Sequence, residues 1–591
     1  METAMDYDLK ITGGTILDGN GGEAFVGDVA VKNGVIVAVG VAPGTAARQI
    51  DADGLLVTPG FIDMHTHYDA QALWDTELET STRHGVTTAF MGNCGVGFAP
   101  LTPETKDTII ELMAGVEDIP GQVLRTGLKW DWNTFGEYLD RLEEVERPID
   151  IAAQVPHDAV RLYVMGERAT ANEMATQDDI VRMQQVVRDS LMAGAFAFTF
   201  GRVNGHRMSN GALTPSYFAG HDELEALASV LRDMPYRVLQ GITDGRVNEG
   251  PDAFEGEFKV VERMMAAAGR PMSFNLHQRP EPEAQGVYLK LLAKSEEAGA
   301  RGDTLHFQVG GRGGGSMLGL TSSLNPLAPM PSYRAIADLP MAERLAALRA
   351  PEFRARILAE TPVLLEGEGG AMRSMYNLLI DLDKKGLSVF PIASTPFAEP
   401  AREQSIVGLA QAAGKSAFEV LFDLAIQDDG EMLFDHLTFN YAPGDLSSVY
   451  EMLSHPNTLF GLADAGAHLG YVCENGYTTF ALKFWARDRV RGPTIPLPRV
   501  INMLTGKIAD HFGLKDRGRL QVGLRADINV IDYEALGLKR ARAVFDLPAG
   551  GRRFLQHSRG YRAVIAAGQP IIENDEPTGA KPGKVLRAAA A

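Results

Sequence analysis

The sequence predicts an α/β protein built on a (β/α)₈ barrel, and three observations carry that expectation. Short apolar strands alternate with helical stretches through the centre of the chain, which implies a parallel sheet with crossover helices. Eight such strands are present, the number that closes a barrel of this kind. Both chain ends are β-rich instead, and the 591 residues leave room for a barrel of about 250 residues plus a second unit.

Taken in order, residues 8–57 read as strands. DLKITGGTILDG, GDVAVKNGVIVAVG and GLLVTPG carry β-branched residues between Gly and Asp turn signals. The barrel strands follow: Phe61–His65, Val86–Met91, Asp150–Gln154, Ala195–Phe200, Arg237–Ile242, Met272–His277, Thr304–Val309 and Leu459–Asp464. Asp222–Met234 and Ala253–Ala268 are helices between them. The span 310–458 is too long for one crossover and reads as an insertion near the barrel mouth, with helices at Met341–Glu360 and Ser416–Gln427. GRLQVGLRADINVID and YRAVIAAGQPII, within 518–572, return to the style of the N-terminal strands. The expected organisation is therefore one unit from 1–58 and 512–580, a barrel from 59–511, and a frayed tail, Lys581–Ala591.

Composition excludes several classes. At 45% hydrophobic and 22% charged residues the chain is neither disordered nor fibrous. Lys plus Arg number 56 against 76 Asp plus Glu, a net charge of −20, which argues against a nucleic-acid or membrane partner. Two cysteines, Cys94 and Cys473, cannot make a disulfide framework. METAMDYDLK has no basic region followed by an apolar run, and no window approaches about 18 consecutive apolar residues. A cytoplasmic protein is expected.

The chemistry gathers at strand ends. In PGFIDMHTHYD, His65 and His67 are two apart, so period two puts both imidazoles on one face, within reach of one metal. In HGVTTAFMGNCGVGFAP, Cys94 lies just past a strand, where barrel enzymes keep their chemistry; it is either a zinc ligand or a small buried hydrophobe. In LFGLADAGAH, Asp464 ends a strand ahead of His468, and reads as a metal ligand and general base or as a helix N-cap. His277 and His306 stand alone on later strands. His157 and Arg161 follow strand three; Arg202, His206 and Arg207 follow strand four, where cations suit an anionic substrate or a solvated loop. GGRGGG, Gly310–Gly315, lacks the Lys of a phosphate-binding loop and reads as a flexible loop at the mouth.

These segments together resemble the amidohydrolase superfamily, and within it the D-aminoacylase, or N-acyl-D-amino-acid deacylase, group. The run LTGKIADHFGLKDRGRLQVGLRADINVID adds to the likeness. The resemblance implies a (β/α)₈ barrel with a small β-sandwich formed from both chain ends. It implies one or two zinc ions per chain: His65 and His67 with Asp464 at one position, Cys94 with His277 at the other. Cys94 would replace the carboxylated lysine of many relatives, in keeping with the absence of lysine from AGAFAFTF on strand four. The family usually has histidines on strands five and six. Counting strands puts His277 on six and His306 on seven; a register one strand earlier makes both of them ligands. Gln278 and Arg279 occupy the neighbourhood where the family holds the substrate carboxylate. The implied activity is cleavage of the C–N bond of an N-acyl amino acid or a related small amide by zinc-activated water. The alternative is a lactonase, esterase or cyclic amidase on the same scaffold. A small molecule is the expected partner, and a homo-oligomer is left open.

Overall fold

The computed structural model describes residues 6–244, 251–282, 284–392 and 398–589. Its first strand, Tyr7–Ile16, buries Leu9, Ile11 and Ile16. A bulge between Ile11 and Gly14 bends it, so that its first half pairs with Ala46–Asp51 and its second with Leu56–Pro59. Leu56–Pro59 then runs antiparallel to Ile528–Ile531, which pairs with Tyr561–Ala566. Both chain ends are thereby joined in one nine-stranded sheet. Ile11, Val29 and Val57 from one end pack with Ile528, Val530 and Ile565 from the other, in a core of their own.

The central body has eight parallel strands in chain order. They are Phe61–Asp63, Val86–Met91, Asp150–Ala153 continued by Val155–Pro156, Ala197–Arg202, Val238–Thr243, Met272–Leu276, Leu305–Val309 and Thr458–Phe460. Each lies within a few residues of its predicted position, and Val238–Thr243 is the fifth, as counted. The eighth strand returns to the first through a bridge between Thr66 and Ala465 and through the His67 N–H, which donates to the Ala465 carbonyl at 2.8 Å. Around these strands, His221–Ser229 and Pro251–Ala268 are helical, close to expectation. The helix expected over Met341–Glu360 is two, Met341–Arg349 and Pro351–Leu358, because Pro351 has no N–H with which to continue the first. Ser416 caps Ala417–Ala425 by accepting from the Glu419 N–H. The insertion also holds an antiparallel sheet of Gly314–Gly319, Leu433–Phe439 and Val389–Pro391, which the sequence reading did not include. Among the described residues no helix is long and apolar enough to cross a membrane.

The tail corrects an expectation. Through Ala589 it is anchored, not frayed; Ala590 and Ala591 lie outside the described residues. Val585–Leu586 pairs in parallel with Ile151–Ala152 of strand three, and the Ala588 N–H donates to the Gly194 carbonyl at 2.9 Å. Arg237 Nη2 reaches the Ala589 carbonyl at 2.9 Å. Backbone pairing depends little on side-chain identity, so a small, polar composition concealed it.

Asp150, at the start of strand three, ties these parts together. It is fully buried and accepts from Arg517 Nη1 at 2.7 Å, Arg525 Nη2 at 3.0 Å and the Lys584 N–H at 2.8 Å. Removing one partner of a buried pair strands the other charge and costs roughly 3–5 kcal/mol. Asp150→Ala is therefore expected to lower the unfolding free energy by about that amount in a urea titration. A loss under about 1 kcal/mol, the scale of an exposed pair, would show that the network contributes little.

Candidate metal centre

Strand one ends in the segment that carries His65 and His67, and strand two runs into the turn that carries Cys94. That turn needs its glycines. Gly95 has φ +77°, and a Cβ there would meet the Gly201 nitrogen at 2.5 Å. Cys94 itself sits at φ 58°, and past strand eight Leu462, Asp464 and His468 have φ 62°, 47° and 48°. Positive φ is unusual outside glycine and costs of order 1–3 kcal/mol per residue, so the fold holds these side chains against local preference.

The ligand atoms of His65, His67 and Cys94 lie within 4.8 Å of one another, all buried. His65 Nε2 is 3.3 Å from Cys94 Sγ and 3.3 Å from Asp464 Oδ1. His67 Nε2 is 3.9 Å from the same carboxylate oxygen. The His65 tautomer follows from its surroundings: Gln308 Nε2 donates to Ser273 Oγ at 3.0 Å, which turns Gln308 Oε1 to accept from His65 Nδ1–H at 2.7 Å. Nε2 is left with its lone pair facing Cys94 and Asp464.

Electrostatics agree with a cation here. Burial acts to raise the Asp464 carboxyl, but His65, His67, His468 and His277 together outweigh it and hold the group below its ordinary value. Burial pushes the Cys94 thiol well up, so its thiolate needs a bound cation. His67 Nδ1 and Glu117 Oε2 are buried with no hydrogen-bond partner among the described residues. Two imidazoles, a thiolate and a carboxylate are a donor set that suits a divalent metal, zinc foremost.

Of the other predicted ligands, His277 lines the same cavity but is not in the close group. Period two places Asn275 one layer deeper on strand six, and its amide, not His277, faces Cys94 Sγ, at 3.9 Å. His306 is elsewhere. It shares a face with Gln308 two residues nearer the start of strand seven, and its Nδ1 lies 3.1 Å from Nδ1 of His511, away from the cavity.

The cavity has a volume of about 440 Å³ and contains His206 and Arg279 among its walls; Arg279 is paired with Glu281 at 3.2 Å. Three proposed substrate contacts have structural partners instead. Arg202 is neutralised by Glu257 at 2.7 Å and bonded to the Tyr217 and Ala219 carbonyls. His157 shares Glu223 with Arg161, at 2.8 and 2.5 Å, inside the helical layer. Gln278 is pinned to Asn440, whose Oδ1 accepts from the Gln278 N–H at 2.8 Å.

The sequence reading missed Glu117. This buried carboxyl, just past the helix Lys106–Val116, has Oε1 3.5 Å from His67 Nδ1 and Oε2 3.7 Å from His468 Nε2. Burial, with Asp464 and Asp69 nearby, drives it well above its ordinary value. It is placed to orient His67, and loss of such an orienting partner typically lowers metal affinity 10–100-fold. Glu117→Gln is expected to weaken zinc binding by about that factor in a chelator competition; unchanged affinity would make Glu117 a bystander.

The pattern of the family covers residues 48–572 of the chain. The chain belongs to the amidohydrolase family. Membership makes it a hydrolase of carbon–nitrogen bonds. It is 26% identical to a D-aminoacylase of Alcaligenes xylosoxydans xylosoxydans, over 99% of this chain and 98% of that one. A solved D-aminoacylase with a binuclear metal centre superposes with a TM-score of 0.63 at 22% identity, covering 98% of this chain and all of that one. An N-acyl-D-glutamate deacylase from Bordetella bronchiseptica, solved with zinc and a phosphonate inhibitor, gives 0.62 at 22% identity, with the same coverage. At that identity the structural likeness speaks for an α/β fold of the same type.

Proposed function

We propose that this amidohydrolase cleaves the amide bond of an N-acyl amino acid or a related small amide, using one zinc ion at the mouth of a (β/α)₈ barrel. The convergence of His65, His67, Cys94 and Asp464 on the floor of the cavity carries the reading. The zinc of the deacylase and the activity named for the D-aminoacylase support it. A single ion is favoured because amides, Gln240, Asn275 and Gln308, surround His65 and Cys94 on their deep side.

Zinc bound there would supply Lewis acidity, acidifying a water and polarising the scissile carbonyl. The residues do the rest. Asp464 is held ionised, so it accepts the proton of the attacking water and returns it to the leaving nitrogen. Gln308 orients the His65 imidazole, and Glu117 faces that of His67 at 3.5 Å. Ile242, Phe254, Phe258, Phe274 and Leu291 form an apolar wall suited to an aliphatic or aromatic acyl group and to the exclusion of water. The same reading makes the chain a cytoplasmic enzyme of small molecules.

The test is hydrolysis of N-acyl amino acids of both hands and rising acyl length, before and after chelation and zinc restoration. Zinc-dependent release of the amino acid supports the reading. Turnover of lactones or esters but of no N-acyl amino acid would replace it with the alternative.

A further inference from the structure

The loop past strand eight presents two side chains to the cavity, Asp464 and His468. Its near end is fixed by strand one: the Asp464 N–H donates to the His65 carbonyl at 3.2 Å, and the His67 N–H to the Ala465 carbonyl at 2.8 Å. Its far end is fixed from elsewhere. The His468 N–H donates to the Glu117 carbonyl at 2.5 Å. Two residues on, the Gly470 N–H donates to Asp118 Oδ2 at 3.1 Å. The same oxygen accepts from Ser323 Oγ at 3.4 Å, and that hydroxyl accepts from Arg552 Nη2 at 2.7 Å. The Ser323 N–H closes the ring by donating to the Gly470 carbonyl at 2.9 Å.

Four segments distant in sequence therefore meet at Gly470. They are the loop itself, the turn after the helix Lys106–Val116, the insertion, and the strand Gly551–Leu555 near the C-terminus. Glycine is required for the meeting. A Cβ at 470 would lie 1.8 Å from Ser323 Oγ and 2.7 Å from Asp118 Oδ2. Asp118 and His468 have φ of 50° and 48°, a conformation that side chains resist and that persists only where the surroundings impose it. The turn that supplies the Gly470 acceptor also carries Glu117, with Oε1 3.5 Å from His67 Nδ1 and Oε2 3.7 Å from His468 Nε2. A shift of the loop against this turn displaces Asp464 and His468 from His67 and Glu117 together.

We propose that Asp118 is a positioning residue for the hydrolysis: by holding the Gly470 N–H it fixes the loop that sets Asp464 and His468 at the cavity, and Arg552 braces it through Ser323. Asp118 does not itself line the cavity, so it acts through the loop alone. The account of the reaction rests on the proposed amide hydrolysis; the account of the loop rests on the hydrogen bonds.

The experiment compares wild type, Asp118→Asn and Asp118→Gly. Asn keeps an acceptor oxygen and tolerates the positive φ, whereas Gly tolerates the φ but offers no acceptor, so backbone strain is held apart from the lost bond. Two readouts do not depend on turnover: amide hydrogen exchange over residues 464–472, and the visible absorption of the cobalt-loaded protein. A hydrogen bond to a charged group corresponds to roughly ten- to hundredfold in an equilibrium, and exchange in Asp118→Gly is expected to quicken by about that factor. Its cobalt bands should shift. Its kcat should fall roughly 10–100-fold, the scale on which small displacements of reacting groups act, with KM within about twofold because no substrate contact is removed. Asp118→Asn should match wild type in every readout. Unchanged exchange and cobalt bands in Asp118→Gly would overturn the proposal, as would a lowered unfolding midpoint with kcat intact. Equal impairment in Asp118→Asn would overturn it too, by assigning the effect to charge facing Arg552. Turnover is judged separately: failure of wild type to cleave any N-acyl amino acid rejects the amide-hydrolase reading, while exchange and the cobalt bands still decide whether Asp118 holds the loop.

Discussion

Replacing Asp464 with Asn is expected to lower kcat by at least roughly 10²–10⁴-fold, the usual contribution of one general acid–base group. The substitution is chosen to isolate the proton. Asn keeps the size and one oxygen donor, and it tolerates the positive φ of this position better than most residues. The Asp464 N–H bond to the His65 carbonyl, 3.2 Å, belongs to the backbone and survives. The lost property is a carboxylate that four neighbouring histidines hold below its ordinary value against burial. Steady-state kinetics beside thermal unfolding checks it: turnover falls while the midpoint stays close to wild type. Near-normal turnover would remove Asp464 from the mechanism.

The second large effect concerns Cys94. Its sulfur is 3.3 Å from His65 Nε2 and is buried in a cage where an uncomplexed thiol stays protonated. If the thiolate is a ligand, Cys94→Ala removes a bond to the metal itself. The loss of zinc affinity should then exceed the roughly 10–100-fold seen when only an outer partner is lost. Elemental analysis of purified protein should find less than one zinc per chain, with activity falling in proportion and recovering at high added zinc. Cys94→Ser serves as a check on packing, because it nearly conserves volume but is a poor zinc ligand. Full metal content and activity in both variants would leave Cys94 as filler.

Much of this centre was legible because each of its parts carried a local signal. His65 and His67 are spaced by period two, Cys94 follows a strand through a glycine turn, and Asp464 lies just past the last strand. The eight strands were legible for the same reason: short apolar runs bounded by turns. What escaped notice was set by tertiary packing. Glu117 reaches His67 from the far end of a helix, and nothing in its neighbours distinguishes it from a solvated glutamate. Gln308 and Asn275 sit on predicted strands, but an inward amide is as often structural as functional. His157 and Arg202 looked available because their carboxylate partners, Glu223 and Glu257, come from distant helices.

The anchored tail has a consequence for how the molecule is made. Lys584 bonds to Asp150 across 434 residues of chain. At a synthesis rate of about 5–20 residues per second, roughly 20–90 s separate the emergence of the two partners. Through that interval the groove beside strand three stays open on the nascent chain, with the edge of Ile151–Ala152 unpaired and, until Arg517 emerges, Asp150 short of all three of its donors. An exposed strand edge invites pairing with other chains. The growing polypeptide therefore passes through a state prone to misassociation, and its yield on expression should depend on chaperone capacity more than the stability of the finished fold would suggest.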